Sequence, residues 1–398
     1  MSKNITASLM RSINRSAILE LIRKESPISR SQIAKDLNMS LPTVMRIVDE
    51  LMSEELVRHA GAGESTGGRP SSLIEFNGEA HAVIGVDLGG TKMYGMVADL
   101  AGNIQYKLYR THEENREMAD GDYLNGLIDF IQHLLDAPRP AGQSIRGIGV
   151  GAPAITLVPE GIVTWAPSLG WRDLPLRDLL TEEFDLPVTV ENDVNLSALG
   201  EWGFGAARGV KSLVQIAVGT GIGAGIMIDG AIYRGFQQAA GEVGYMLPNT
   251  AVLGQRHEGF GALELLASGT GIADRARQLL QKESTYFMPE PLNAQTVFAE
   301  ARAGKAWAQQ VVAETVDYLA LAIANVAVVI NPEMVVLGGG VAQSADLLVE
   351  PIRERLEGVI PFVPKILTSE LGRDAAVMGA IMHVMKATDE YFIVKKLN

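Results

Sequence analysis

The chain of 398 residues contains no cysteine. It can therefore form neither a disulfide framework nor a metal site with thiolate ligands. Its N-terminal segment has no uninterrupted apolar stretch, so it lacks the pattern of a secretory signal. We also expect that no later segment supplies the ~20 apolar residues of a membrane helix. These absences predict a cytoplasmic protein without a membrane partner.

Basic residues are outnumbered by acidic ones over the whole chain, which has a formal net charge of −13. The balance is reversed before residue 49, where eight basic and three acidic residues give a net charge of +5. A basic module on an acidic body is the charge distribution expected of a protein whose N-terminal part binds DNA.

Residues 9–51 have the pattern of a helix-turn-helix. Ser29 begins a capping box that opens a short helix, and Ser40 caps a third helix whose apolar residues share one face. In this motif the N-terminal residues of the second capped helix enter the major groove. The alternative is an ordinary three-helix bundle with a solvated polar face. The candidate DNA contacts are Ser29, Arg30, Ser40, Thr43 and Arg46.

A predicted β-wing follows this bundle. Residues 56–59 and 72–76 are two short β-like runs that flank a segment rich in glycine and serine. Within that segment, Arg69 is a candidate contact to a minor groove or a phosphate. The alternative is a flexible linker between domains. We predict a DNA-binding domain over residues 1–76.

Two strand–glycine–strand patterns occur later, over residues 83–98 and 212–235. Glycine turns let backbone N–H groups approach a phosphate closely, and a carboxylate at the end of a strand can hold hydrated Mg²⁺. The alternative is a pair of ordinary hairpin turns. Two related lobes, each beginning with such a hairpin, would clamp one nucleotide. The candidate phosphate-binding residues are Asp87, Gly89, Gly90, Thr91, Lys92, Gly219, Thr220, Gly221 and Gly223.

Several acidic and amide side chains stand next to predicted strand ends or glycines. Asp193 can accept a proton from a hydroxyl that attacks a γ-phosphate, and Asn192 can hold neighbouring hydroxyls. Glu242 and Glu264 are suited to bind a polyol. Each residue alone is better explained as a surface carboxylate or a helix cap. Together with the two hairpins, they predict a sugar pocket.

These motifs resemble the ROK family, and in particular its transcriptional repressors. The matching segments are DLGGTK, GVGAPA, ENDVN, GTGIGAG, GEVGY and LGGGVA, behind an N-terminal SRSQIAKDLNMSLPTVMRIVDEL. The resemblance implies an N-terminal helical, winged helix-turn-helix domain followed by an α/β, two-lobed domain with the actin-like ATPase (ribonuclease H-like) fold. It places that second domain at residues 77–398, with lobes of about 77–198 and 199–398.

The resemblance also implies roles for the candidate residues. Asp193 matches the catalytic base of the family's kinases, while Asn192, Asp193, Glu242 and Glu264 match sugar ligands. Ser168 and Tyr245 stand where the family usually has a sugar-facing Asn and a His that binds sugar and zinc. The family's zinc cysteines are replaced by Gln255, His257 and Ala262, so we predict that the structural zinc is absent. No cofactor is required, and Mg²⁺-ATP is an optional ligand.

We therefore predict a sugar-responsive repressor of carbohydrate utilisation genes, with xylose metabolism included. It would bind an inverted-repeat operator as a homodimer or homotetramer, and a small sugar or sugar phosphate would release it. The first alternative is an ATP-dependent hexose kinase that has kept a DNA-binding head. The second is a regulator whose inducer is a partner protein.

Overall fold

The computed structural model describes residues 7–62, 72–90, 92–111, 123–255, 261–282 and 291–388. The chain begins with three helices, and β3 pairs antiparallel with β2 on one side and with the short β1 on the other. This confirms the predicted winged helix-turn-helix. The elements are α1 (Ala7–Glu25), β1 (Ile28–Ser29), α2 (Arg30–Asp36), α3 (Leu41–Ser53), β2 (Val57–Ala62) and β3 (Ser72–Phe76).

The first large sheet has five strands in the order β11-β7-β4-β5-β6. The hairpin of β4 and β5 is antiparallel, and β7 and β11 then add in parallel on the β4 side. The strands are β4 (His81–Leu88), β5 (Lys92–Asp99), β6 (Ile104–Thr111), β7 (Ser144–Ala152) and β11 (Val188–Asn192).

The second large sheet repeats this arrangement in the order β14-β13-β12-β15-β16. Its antiparallel hairpin of β12 and β13 carries the second glycine turn, and β15 and β16 add in parallel. The common order of the two sheets agrees with the predicted pair of related lobes. The strands are β12 (Ser212–Val218), β13 (Ile222–Ile228), β14 (Ala231–Ile232), β15 (Met334–Gly338) and β16 (Lys365–Thr368).

Helices cover both sheets, and a small sheet of β8 (Ile155–Leu157), β9 (Ile162–Ala166) and β10 (Trp171–Leu174) extends the first lobe. The helices are α4 (Tyr123–Leu135), α5 (Leu176–Phe184), α6 (Asp193–Phe204), α7 (Glu264–Ala267), α8 (Gly269–Lys282), α9 (Ala294–Arg302), α10 (Ala306–Ile330), α11 (Val349–Leu356) and α12 (Ala375–Thr388).

The last helix, α12, returns to the first lobe. It packs on β4 and β7 and lies against α6. The contact with α6 is very close, because a Cβ on Gly379 would lie 1.8 Å from the backbone oxygen of Leu196. The predicted lobe boundary near residue 198 falls inside α6 and stays a prediction.

Helix α10 is long and apolar enough, by length and composition, to cross a membrane. This contradicts the expectation that no segment is long and apolar enough to span a membrane. However, its buried residues, such as Val311, Leu319 and Ile323, belong to the hydrophobic core of the second lobe. A buried core helix of this kind passes the same composition test.

The winged helix is joined to the first lobe by packing and by hydrogen bonds. One hydrophobic cluster contains Ile74 of the wing, Met96 of the first large sheet and Ile381 of α12. The two ring nitrogens of His81 lie 2.8 Å from the Glu54 backbone oxygen and 2.8 Å from Ser144 Oγ. The DNA-binding head is therefore held against the lobe that α12 covers.

Candidate functional site

Asn192 stands at the point where β11 ends and α6 begins. Its Oδ1 accepts hydrogen bonds from the N–H groups of Val194 and Asn195, each at 3.0 Å, and so caps the helix. Its Nδ2 donates to the backbone oxygen of Ala154 at 3.2 Å. The side-chain oxygen of Asn192 therefore already accepts two hydrogen bonds within the protein. One N–H of the side-chain amide remains for a ligand.

Asp193 and Asp87 are two neighbouring carboxyl groups in the cleft between the lobes. Burial, together with the charge of Asp87, raises the pKa of Asp193 to about 8. Burial raises the pKa of Asp87 to about 6, against the opposing effect of Lys92. At neutral pH the free protein therefore holds a proton on Asp193, which can donate a hydrogen bond and acts as a base only after that proton is lost.

The first glycine hairpin is held by its own backbone and by Tyr123. The N–H of Gly89 donates to the Lys92 backbone oxygen at 2.8 Å, and the Tyr123 hydroxyl donates to the Gly89 backbone oxygen at 2.8 Å. A Cβ on Gly90 would lie 2.9 Å from the Cβ of Ser168, so Ser168 packs directly on the hairpin. Thr91 lies outside the described residues.

The second hairpin is crossed by the carboxylate of Glu264. Its Oε1 accepts from the N–H of Ile222 at 3.3 Å, and a Cβ on Gly221 would lie 2.0 Å from that oxygen. Gly219 is further held by Gly269, whose N–H donates to the Gly219 backbone oxygen at 2.8 Å. A carboxylate at this turn would repel a phosphate, so this turn is less suited to phosphate than the sequence pattern predicts.

Gly223 of the same hairpin packs on Val194, whose Cγ2 would lie 3.1 Å from an added Cβ. The backbone oxygen of Thr220 is occupied, since Thr270 Oγ1 donates to it at 3.1 Å. The hairpin is therefore packed between α6 and the start of α8.

Glu242 lies at the entrance to a 3-10 turn that contains Tyr245. Burial and the charge of Glu264 raise the pKa of Glu242, and burial raises the pKa of Tyr245. The Tyr245 side chain is 50% exposed. It is therefore half open to solvent beside Glu242.

A pocket opens between α6 and the loop after β14. Of the predicted sugar ligands, Asn192 and Glu242 line it, whereas Ser168, Asp193, Tyr245 and Glu264 are not among its lining residues. The lining residues are Ala154, Ile155, Asn192, Val194, Asn195, Gly223, Ala224, Gln238, Ala240, Gly241 and Glu242.

The sequence interpretation missed three polar residues around this pocket: Asn195, Gln238 and Arg234. Arg234 forms an ion pair with the buried Glu191, with Nη2 2.6 Å from Oε2. This pair joins the second lobe to the end of β11, one residue before Asn192. Asn195 ends the ENDVN motif but was given no role there, and no local pattern marks Gln238 or Arg234. The ion pair joins residues 43 positions apart, so it could not be predicted from neighbours along the chain.

The predicted DNA-binding residues divide into caps and exposed groups. Ser29 caps α2 by accepting from the Gln32 N–H at 3.2 Å, and Ser40 caps α3 by accepting from the Thr43 N–H at 3.4 Å. Arg30 donates to Asp49 at 2.9 Å and so ties α2 to α3. These residues order the motif in the free protein.

Arg46 is exposed on α3, beside Met45, which is 47% exposed. Thr43 lies one turn earlier, at the N-terminal end of the helix that the motif places in the groove. Arg69 lies outside the described residues. Of the predicted contacts that the structure describes, Thr43 and Arg46 are the best placed to meet DNA.

The predicted absence of a structural zinc site rests on the replaced cysteine positions. Within the described ranges, no group of three or more His, Asp or Glu side chains is arranged to hold a metal ion. His257 lies outside these ranges, so the predicted absence of structural zinc stays a prediction. The predicted role of Asp87 in holding hydrated Mg²⁺ stays a prediction.

Comparison with known proteins gives the same two-part division. Residues 83–387 match the model of the ROK family, and residues 11–58 match that of a winged helix-turn-helix DNA-binding domain. The xylose repressor of Caldicellulosiruptor bescii is 31% identical over 95% of this chain and 96% of its own length. The glucokinase of Halalkalibacterium halodurans is 37% identical over 74% of this chain and 92% of its own length.

Two solved structures extend this comparison. A ROK family transcriptional regulator, a homologue of the E. coli MLC protein, superimposes with a TM-score of 0.81 at 24% identity, over 96% of this chain and 98% of its own. A ROK family glucokinase from Streptomyces griseus, solved with glucose and AMPPNP, has a TM-score of 0.63 at 27% identity, over 76% of this chain and 98% of its own. The regulator therefore shares the whole architecture, and the kinase shares the part without the head.

Proposed function

Because the chain belongs to the ROK family and carries a winged helix-turn-helix, we propose that it is a sugar-responsive repressor of carbohydrate utilisation genes. The observation that carries this proposal is the path of α6 and α12. Helix α6 begins at the pocket with Asn192, and near its other end the Trp202 ring lies 4.7 Å from Lys386 Nζ of α12. The same helix α12 reaches the head, because its Val384 and Met385 share a hydrophobic cluster with Ile22 of α1.

A ligand in the pocket would act by changing how the two lobes close. Only a difference in affinity between the open and closed forms can drive such a change. Two heads in a homodimer or homotetramer would meet an inverted-repeat operator about one helical turn apart. A small rotation of α6 and α12 against the head would therefore weaken the fit to both half-sites.

The test is fluorescence anisotropy of the full chain on labelled DNA from its own upstream region, at a stated salt concentration. We expect tight binding that is selective over random DNA and that a small sugar reverses. Arg46→Ala is the DNA-contact variant, and Arg355→Ala, far from α3 on α11, is its charge-matched control. Binding no tighter than to random DNA would refute the repressor assignment.

The second candidate function is an ATP-dependent hexose kinase, which the position of Asp193 beside the first hairpin favours. Asp87 and the backbone of that hairpin are the groups that would hold Mg²⁺-ATP, which would supply the phosphoryl group. Asp193 would have to lose its proton before it could act as the base. A coupled assay of ATP turnover with a sugar panel tests this, and activity that Asp193→Asn abolishes would establish it.

A further inference from the structure

We infer that the pocket recognises an uncharged sugar rather than a sugar phosphate, and that Asn195 and Gln238 bind the hydroxyls of this sugar. The inference rests on the proposed function and defines the class of its ligand. It is carried by two buried amide oxygens that have no partner within the described part of the chain, and by the charge of the residues around them.

Asn195 presents a fixed acceptor to the pocket. Its side chain belongs to α6 and is 3% exposed, and its Nδ2 donates to Glu191 Oε1 at 3.0 Å. That bond sets the orientation of the amide, so Oδ1 is the atom left without a partner. A buried carbonyl oxygen without a donor is costly, and a ligand hydroxyl would supply the donor.

Gln238 presents a second acceptor from the opposite lobe. Its Oε1 is buried without a partner, and the residue lines the same pocket. Its backbone has φ of +59°, in the left-handed region that glycine adopts most easily. A glutamine at such a position carries a conformational cost, which a contact with the ligand would offset.

The charge of the pocket excludes a phosphate. Glu242 is acidic, and the described lining residues include no lysine, arginine or histidine. Arg234 stands four residues before Gln238, but its guanidinium is taken by Glu191 at 2.6 Å. Sugar hydroxyls can donate to all three acceptors. A sugar phosphate keeps most of these hydroxyls, but its phosphate adds a charge of about −1.5 to −2, which no cation among the lining residues neutralises.

The experiment is isothermal titration calorimetry of the full chain at pH 7.5. The probes are aldopentoses, aldohexoses and N-acetylhexosamines, each paired with its terminal phosphate ester. We expect one neutral sugar to bind at least 100-fold more tightly than its phosphate ester. The same pair is then added to the protein–DNA complex in the anisotropy assay, where only the neutral sugar should release the DNA.

Three variants test the role of Gln238. Gln238→Gly removes the acceptor and suits the left-handed backbone, so we expect about tenfold weaker sugar binding with no loss of thermal stability. Gln238→Arg adds a cation, which should lower the preference for the neutral sugar over its phosphate at least tenfold. Gln237→Gly changes the exposed neighbour in the same loop and should leave both affinities unchanged.

Three outcomes would overturn the inference. If a sugar phosphate binds more tightly and releases the DNA, the repressor assignment stands and the neutral-sugar inference fails. If Gln238→Gly binds the sugar as the wild type does, Gln238 is not a ligand. If no probe of either kind binds or releases selectively bound DNA, the sugar response itself fails, and with it the premise of the inference.

Discussion

The ion pair between Glu191 and Arg234 allows one prediction to be worked out in magnitude. Glu191 is 1% exposed, and its Oε2 accepts a hydrogen bond from Arg234 Nε at 2.7 Å. Its Oε1 accepts from Asn195 Nδ2 at 3.0 Å and from the Asn192 N–H at 2.9 Å. Replacement of Arg234 by Met would leave this carboxylate buried with half of its partners.

Removing one partner of a buried pair costs about 3–5 kcal/mol, because the other charge stays buried and unpaired. An entropy of unfolding of about 2.1 cal/mol/K per residue over roughly 300 residues gives about 0.6 kcal/mol/K. We therefore expect Arg234→Met to lower Tm by about 5–8 °C.

The assay is thermal unfolding followed by circular dichroism, with Arg355→Met as the matched control. Arg355 pairs with Asp317 at 2.8 Å, but the two side chains are 40% and 60% exposed, so its loss should cost less than about 1 kcal/mol. The double variant Glu191→Gln with Arg234→Met should recover much of the stability. Equal losses in Arg234→Met and Arg355→Met would refute the reasoning.

Three further predictions concern the cleft and the head. Burial raises the pKa of Asp193 to about 8, so the folded wild type keeps a proton that the unfolded chain has lost above pH 4, and its stability falls as pH rises towards 8. Asp193→Asn should remove the part of this pH-dependent decrease in stability that Asp193 causes. The variant should unfold at a higher urea concentration than the wild type, and the difference should grow from pH 4.5 to 8.5. Gly225→Ala places a Cβ 2.6 Å from the Val194 backbone oxygen and should cost about 1–3 kcal/mol in urea unfolding, whereas Gly219→Ala meets nothing within 4 Å and should cost less. Arg46→Ala should weaken DNA binding and reduce the slope of log K against log salt by about 1, and an unchanged slope would mean that Arg46 does not meet a phosphate.

The parts of the fold that follow from local chemistry were predictable from the sequence. The periodicity over residues 123–135 predicts α4 at its observed bounds, and the caps by Ser29 and Ser40 place the starts of α2 and α3. The sequence predicts one helix over residues 346–356, whereas the structure has a 3-10 turn up to Leu347 and then α11. Ser344, whose ψ of +41° is not helical, interrupts the turn without any glycine or proline to mark it.

Only those residues of the site that belong to a recognisable sequence motif were predictable. Asn192, Asp193 and Glu242 stand in recognisable motifs, and the structure brings all three to the cleft. The strands β8, β9 and β10 were missed because runs of three to five residues carry little periodicity. Gln238 was missed for a different reason: its meaning comes from a positive φ and from a pocket formed with α6, which no pattern along the chain records.

The contrast between the two glycine hairpins bears on why a kinase-type cleft would serve a repressor. The first hairpin is the predicted phosphate site beside Asp87, whereas the turn of the second is faced by the carboxylate of Glu264. Phosphoryl transfer needs both hairpins and a deprotonated Asp193, but sugar binding needs neither condition. Helix α6 begins in this cleft, and α12, which packs on it, meets the head in the hydrophobic cluster of Met385 and Ile22. A ligand that only closes the lobes would therefore act on the head without any chemical step, and the energy available for releasing DNA would be limited to its difference in affinity between the two forms.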